Sequence, residues 1–259
     1  MSTRTKLILT GGGTRGMYQI GVAEALRKAG FLNGLRSISA SSIGALNACL
    51  LLQYTPLEAK EIWIEFTKKE LFKNVKQNSR TYAFGIFKEM MKGGVDPSPL
   101  EKILHEYIDE DILRAQEIEL VIALYNLSDQ QLEYPNLDLI PSGQLIDHVM
   151  ASARLPFFRG KIINQKKYLD GGFADNEPEV SHLENKEFDH TFIARIAYVK
   201  KYLPKQRVVN IISKKKIIIA SHRLLGSPLS FESPSFEQKY FYGYEDACRL
   251  LEQRLGVIV

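Results

Sequence analysis

The chain has 259 residues, 45% apolar and 25% charged, with a formal net charge of +4. That size and mix fit one compact domain over residues 1–259, since single α/β domains reach about 250 residues, and no linker, repeat or low-complexity tract marks a second. The apolar stretch after Lys6 is too short for the core of a signal peptide, and none is expected; the apolar run Ile43 to Leu52 is far below the about 20 residues that cross a bilayer.

In chain order, Lys6 to Thr10 reads as a buried strand and Gly16 to Ala29 as a helix. Leu35 to Ala40 is a second strand, and Ser42 to Gln53 a mostly apolar helix that holds Cys49 as a buried thiol. Thr55-Pro56-Leu57-Glu58 and Ser98-Pro99-Leu100-Glu101 read as capping boxes with proline at the first helical position. They open helices to about Lys69 and Ile108. Between them, Lys69 to Pro97 mixes Phe72, Tyr82, Phe84, Phe87, Met90 and Met91 with lysines. That composition suits an amphipathic lid, about residues 69–97, over a lipid site; a surface helix packed on the core is the plainer alternative.

Glu119 to Tyr125 and Gln131 to Tyr134 follow as strands. Ser142 is expected to cap a helix to about Ala153. Lys161 to Asn164 and Lys167 to Asp170 read as a hairpin turning at Gln165-Lys166. His190 to Val199 and Arg207 to Ser213 are further strands, and Phe236 to Leu255 is a closing amphipathic helix. This alternation predicts an α/β fold, a three-layer sandwich around a mainly parallel central sheet.

Two turns carry the chemistry. Gly11-Gly12-Gly13-Thr14-Arg15-Gly16 follows a strand and precedes a helix. Its glycines let the backbone approach an anion, and the helix N-terminus behind it adds free N–H groups. A dinucleotide site needs an acid at the end of the second strand, where Arg36-Ser37-Ile38-Ser39-Ala40 has none, and no Gly-Lys-Ser/Thr follows to make a P-loop. The second turn, Ala40-Ser41-Ser42-Ile43-Gly44, has the form of a nucleophile elbow, with serine at a sharp strand-to-helix turn between small residues. Ser42 has Gly44 two residues on and Ala40, rather than glycine, two residues before. Ser41 has no such glycine, and a simple helix cap is the structural alternative for Ser42. None of the five histidines lies in a recognisable motif, so a Ser-His-Asp triad stays open without a candidate. Asp170 ends a strand and is followed by Gly171-Gly172, a placement typical of a catalytic carboxylate, although Asp-Gly-Gly taken by itself reads more simply as a turn.

Four segments, in order, resemble the patatin-like phospholipase family: Gly11 to Gly16; Ser41 to Ala48; Ala151-Ser152-Ala153-Arg154-Leu155-Pro156-Phe157-Phe158; and Tyr168 to Gly172 with Asp175, Asn176 and Pro178. The resemblance covers about residues 5–180. It implies hydrolysis of fatty acyl esters through a serine–aspartate dyad, with neither histidine nor metal. By position, Ser42 is the nucleophile and Asp170 the base; Gly12, Gly13, Thr14 and Arg15 form the oxyanion-hole region; Gly11, Gly16, Gly44, Gly171 and Gly172 support the motifs. Ala40 departs from the pattern and bears on elbow geometry. A transacylase would share this site. A lipid-binding or regulatory protein with faded catalysis, and a nucleotide-binding protein, are the rivals.

Charge is unevenly placed. From Lys68 to Lys92, seven Lys/Arg meet two Glu, and from Lys200 to Arg223 eight Lys/Arg meet no acid. Basic segments on an otherwise acidic body suit contact with anionic phospholipid; solvated faces are the plainer explanation. No nucleic-acid motif is present, and no acidic loop suggests calcium. Two cysteines make no disulfide framework, so a cytoplasmic chain, at most peripheral on a membrane, is expected.

Overall fold

A computed structural model describes residues 3–69, 71–73, 82–155, 158–159, 162–184, 187–196, 215–228 and 235–259, with only the backbone at 82–84. The first strand, β1 (Thr5–Leu9), is buried throughout, as a short apolar run at the centre of a covered sheet must be. A 3-10 turn at Gly13–Gly16 leads into α1 (Met17–Lys28). Then β2 (Leu35–Ser41) passes through one residue into α2 (Ile43–Gln53). Apolar on all sides, α2 is buried almost throughout, with Cys49 wholly inside; burial pushes that thiol up to about 12.

The helix α3 (Pro56–Lys68) starts on the expected capping box, with Thr55 and Glu58 each accepting the other's backbone N–H. In the lid segment, α4 (Tyr82–Met91) is a helix; Leu71, Phe72 and Ile86 are buried. Residues 70 and 74–81, and the side chains of Tyr82 and Phe84, lie outside what is described. The second capping box does not form. In α5 (Ser98–Tyr107) Pro97 occupies the N-cap, and Asp96 Oδ1 takes the Ser98 N–H at 3.0 Å. The aspartate closes its own local turn, which displaces the serine cap.

Beyond α6 (Glu110–Arg114) come β3 (Glu119–Asn126) and β4 (Gln131–Glu133). The next helix, α7 (Leu145–Ser152), begins later than Ser142 implies. Gln144 is its N-cap, and the Glu110 carboxylate of α6 accepts the Gly143 and Leu145 N–H groups, so a distant acid replaces the local serine. The hairpin of β5 (Ile162–Ile163) and β6 (Lys166–Asp170) turns at Asn164-Gln165, one residue earlier than expected. Both turn residues have positive φ, 48° and 66°, the two-residue geometry that matches strand twist. Last come β7 (His190–Arg195), β8 (Lys216–Ala220) and α8 (Phe236–Leu255). The expected strand 207–213 lies outside the described residues. The strand β8, which begins at the end of a run of lysines, is not among those expected from the sequence.

The sheet order is β5-β6-β3-β2-β1-β7-β8, with β4 also on β3. From β3 to β8 through β2, β1 and β7 the strands are parallel; β4, β5 and β6 add antiparallel pairs. This is the expected α/β class. Gly21 and Gly243 let α1 and α8 cross closely, since a Cβ on either would stand 1.9 Å from a carbonyl of the other helix. No described helix is long and apolar enough to cross a membrane.

Candidate active site

Parallel register carries β1 and β2 to one carboxyl edge, with Leu9 opposite Ala40. Ser41 lies opposite Ala123 of β3, and Asp170 at the end of β6 lies opposite Leu124, the next residue. Two adjacent register positions thus bring Asp170 to the turn that follows β2.

That turn is Ser42 alone, at φ 55° and ψ −126°. Such a backbone costs a non-glycine residue of order 1–3 kcal/mol and persists only where its surroundings fix it. Its N–H donates to Ser152 Oγ at 2.8 Å, and Ser152 Oγ donates to Ala123 O at 2.8 Å. Gly44 lies against β1, where a Cβ would meet Leu9 O at 2.2 Å. Ala40 is accommodated, its methyl buried in the core. Ser42 makes no cap bond to α2; its Oγ donates to Asp170 Oδ2 at 2.6 Å. The N-terminal end of α2, with its partial positive charge, begins at the next residue.

Asp170 Oδ1 accepts the Gly172 N–H at 2.8 Å. Burial pushes the carboxyl up to about 6, against the opposing pull of the Ser42 and Gly172 hydrogen bonds. A carboxylate tuned to that value works as a base near neutral pH. Gly171 passes so close to β3 that a Cβ would stand 2.2 Å from Ala123 O. Ser41 is fully buried, and its Oγ has no hydrogen-bond partner among the described residues, so none of them takes its proton. Among the described residues, no histidine lines the cavity at Ser42, and no group of three His, Cys, Asp or Glu is placed to hold a metal ion.

The glycine loop faces the pair. Gly11 N–H donates to Asn176 Oδ1 at 2.8 Å. Gly12 and Gly13 line the cavity, and no acceptor among the described residues takes their N–H groups. Thr14 N–H donates to Pro228 O at 2.7 Å and Arg15 N–H to Gly12 O at 3.4 Å. Thr14 Oγ1 and Arg15 Nε donate to Ser227 O and Gly226 O at 3.2 and 2.9 Å. Gly16 packs beneath Trp63 and Ile43. The bare amides therefore belong to Gly12 and Gly13, while Thr14 and Arg15 bind the loop to residues 226–228.

A cavity of about 280 Å³ opens from Ser42, walled by Trp63, Phe66, Leu71, Phe72, Leu100 and Phe158. Trp63 is held by its Nε1–H donating to Asn47 Oδ1 at 2.8 Å. Ser152, Asn176 and Pro228 join the site with no individual role expected from the sequence. The first two sit in the recognised motifs; Pro228 has no local signal, since its contact to the loop spans over two hundred residues.

A family model described as patatin-like phospholipase matches residues 7–181. Among solved structures, VipD from Legionella pneumophila aligns with a TM-score of 0.58 at 16% identity, over 98% of this chain and 67% of that one. The type III effector ExoU aligns with a TM-score of 0.45 at 17% identity, over 97% of this chain and 53% of that one. Full-length SpcU with full-length ExoU from Pseudomonas aeruginosa gives 0.46 at 15% identity, over 98% and 53%. The chain spans about two thirds of VipD and about half of ExoU, and the likeness to VipD speaks for the fold alone. A search of curated proteins finds no significant match. With Ser42 and Asp170 both inside the matched stretch, the chain belongs to the patatin-like phospholipase family, a family of lipid hydrolases.

Proposed function

We propose that this chain is a serine lipid acyl hydrolase of the phospholipase A or esterase type, acting through Ser42 and Asp170. The observation that carries it is the 2.6 Å hydrogen bond from Ser42 Oγ to Asp170 Oδ2, made at a strained turn that opens on an apolar cavity. Asp170 takes the Ser42 proton as Oγ attacks the ester carbonyl. The oxyanion forms beside the bare N–H groups of Gly12 and Gly13. On collapse the leaving alcohol takes the proton from Asp170, and an acyl-serine remains. Asp170 then draws a proton from water, which attacks the acyl carbon; on collapse Ser42 Oγ leaves, takes that proton from Asp170, and the fatty acid is freed. The aromatic and leucine walls suit an acyl chain, and among the described lining residues no cation faces a nucleotide phosphate; that lining favours a lipid over the nucleotide alternative. The substrate class is a phospholipid or another fatty acyl ester, at a peripheral site on the membrane.

The test is hydrolysis of p-nitrophenyl acyl esters with fluorophosphonate labelling. Ser42→Ala and Asp170→Asn should each abolish turnover, and the label should map to Ser42. Ser41→Ala should leave turnover unchanged. A folded Ser42→Ala variant with wild-type activity sinks the assignment.

A further inference from the structure

The helix α4 presents an apolar stripe to solvent. Phe87, Met90 and Met91 are 58%, 45% and 76% exposed, and their i, i+3, i+4 spacing puts them on one side of the helix. Ile86 and Glu89, also three apart, point inward and are buried. Lys88 and Lys92 come next around the outward arc, both exposed. No ion pair among the described residues engages Lys88, and Lys92 reaches back to Glu89 at 2.9 Å. By contrast, Lys68 and Lys69 of the same basic segment are held by Glu65 and Glu106.

The stripe is tied to the cavity. Val95, just beyond α4, bridges Phe158 of the cavity wall. Arg159 fastens the same junction, with its N–H on Val95 O at 2.8 Å and its Nε on Gly94 O at 3.2 Å. Phe173 lines the cavity as well and is 66% exposed.

We propose that this outward face of α4, Phe87, Met90 and Met91 beside Lys88 and Lys92, docks on an anionic lipid bilayer and sets the cavity mouth against it. The inference rests on the hydrolase reading above for why the bilayer is there, and it adds which surface meets it. Apolar side chains at the acyl boundary with lysines reaching the phosphates is the chemistry of an interfacial helix. The interleaved positive charge selects an anionic membrane over an apolar protein groove.

The experiment uses full-length Ser42→Ala protein, which leaves vesicles intact, and sedimentation with phosphatidylcholine vesicles with or without phosphatidylglycerol. Binding should favour the anionic vesicles and weaken at high salt. Replacing Phe87, Met90 and Met91 together by serine should lower partitioning at least about tenfold. Lys88→Gln should weaken it about fivefold on anionic vesicles and leave the neutral ones unchanged. With Ser42 restored, the triple variant should cleave soluble p-nitrophenyl butyrate like the wild type and lose activity on vesicles. A triple variant that binds and cleaves anionic vesicles like the wild type overturns the docking face. If instead no variant cleaves any ester and no fluorophosphonate labels the chain, the hydrolase reading fails, and the sedimentation arm still decides the docking face by itself.

Discussion

The turns after β1 and β2 meet at one site and are held in opposite ways. After β2 the chain enters α2 through one strained serine, fixed by close neighbours: Ser152 on its N–H and Gly44 against Leu9. After β1 it passes through three glycines and a 3-10 turn, and its hold comes from the far end of the chain. Carbonyls of Gly226, Ser227 and Pro228 take two side chains and one amide of Thr14 and Arg15. A hydroxyl must be delivered at one point, so its turn is rigid from within. The glycines of the loop carry no side chains to hold it, so it depends on the flanking Thr14 and Arg15 and on carbonyls far along the chain. Residues 226–228 lie beyond the stretch 7–181 that the family model matches, so the cradle of this chain is completed outside the shared motifs.

The sharpest way to break that contrast is at Gly13. Its φ is 60°, and a Cβ would stand 2.1 Å from Pro228 O. Gly13→Ala must push the loop off its carbonyl strap and turn the Gly12 and Gly13 amides away. Loss of one oxyanion donor lowers turnover by about 10²–10³. Expected is a fall of kcat in that range on a soluble ester, with a small change in Tm, because the loop contributes little to the core. Unchanged kcat in Gly13→Ala would mean that the oxyanion is held elsewhere.

Asp170 tests the other side of the comparison, the strain concentrated at the elbow. Burial raises its carboxyl from 3.8 to about 6, a displacement equivalent to about 3 kcal/mol. Below pH 3.8 the group is protonated in the folded and unfolded chain alike, and the neutral carboxyl is no burden. As pH rises through about 6 the folded protein must hold a buried charge, and that stability is lost. Asp170→Asn should therefore gain up to about 3 kcal/mol relative to wild type on going from pH 4 to pH 8, read by denaturant unfolding at each pH. Wild-type turnover should move the opposite way and rise through about pH 6 as the base form appears. A variant whose stability difference stays flat with pH would show that Asp170 is not the buried charge that tunes the site.

The same contrast explains what could be read from the sequence. The elbow, the glycine loop and the Asp-Gly-Gly strand end are local patterns, since each rests on sterics within a few residues; hence the positions of these turns and the parallel core were legible. The Thr55 box formed because Glu58 is its own partner, three residues on. The Ser98 and Ser142 caps failed because of two acids: Asp96 takes the Ser98 N–H that a capping box reserves for Glu101, and Glu110 takes the Gly143 and Leu145 N–H groups. One of them lies over thirty residues away in sequence, beyond any local pattern. Ala40 drew attention as a departure, yet the methyl fits the core, and the glycine that sterics demand is Gly44. The strap at 226–228 left no trace because a backbone carbonyl is the same in every residue.

Ser152 sharpens the comparison most finely. Its hydroxyl links the elbow to α7 and β3, accepting from Ser42 N–H and donating to Ala123 O. Ser152→Ala leaves a buried donor and a buried acceptor unmade, at about 1–3 kcal/mol. Part of that falls on Tm. The rest falls on the elbow, because φ 55° at Ser42 is then held by Gly44, the strand register and the Asp170 hydrogen bond, without its N–H partner. Ser152 does not line the cavity, so substrate binding should hold while the aim of Oγ is lost. The expected outcome is a fall in kcat of about tenfold, from the lower end of that range, with KM nearly unchanged. Ser152→Thr, which keeps the hydroxyl, should restore kcat. A purely structural role would lower Tm and leave kcat intact well below the transition; that result would assign the strained geometry to the β1–α2 contact alone and make both turns of the site dependent on backbone packing rather than on side-chain hydrogen bonds.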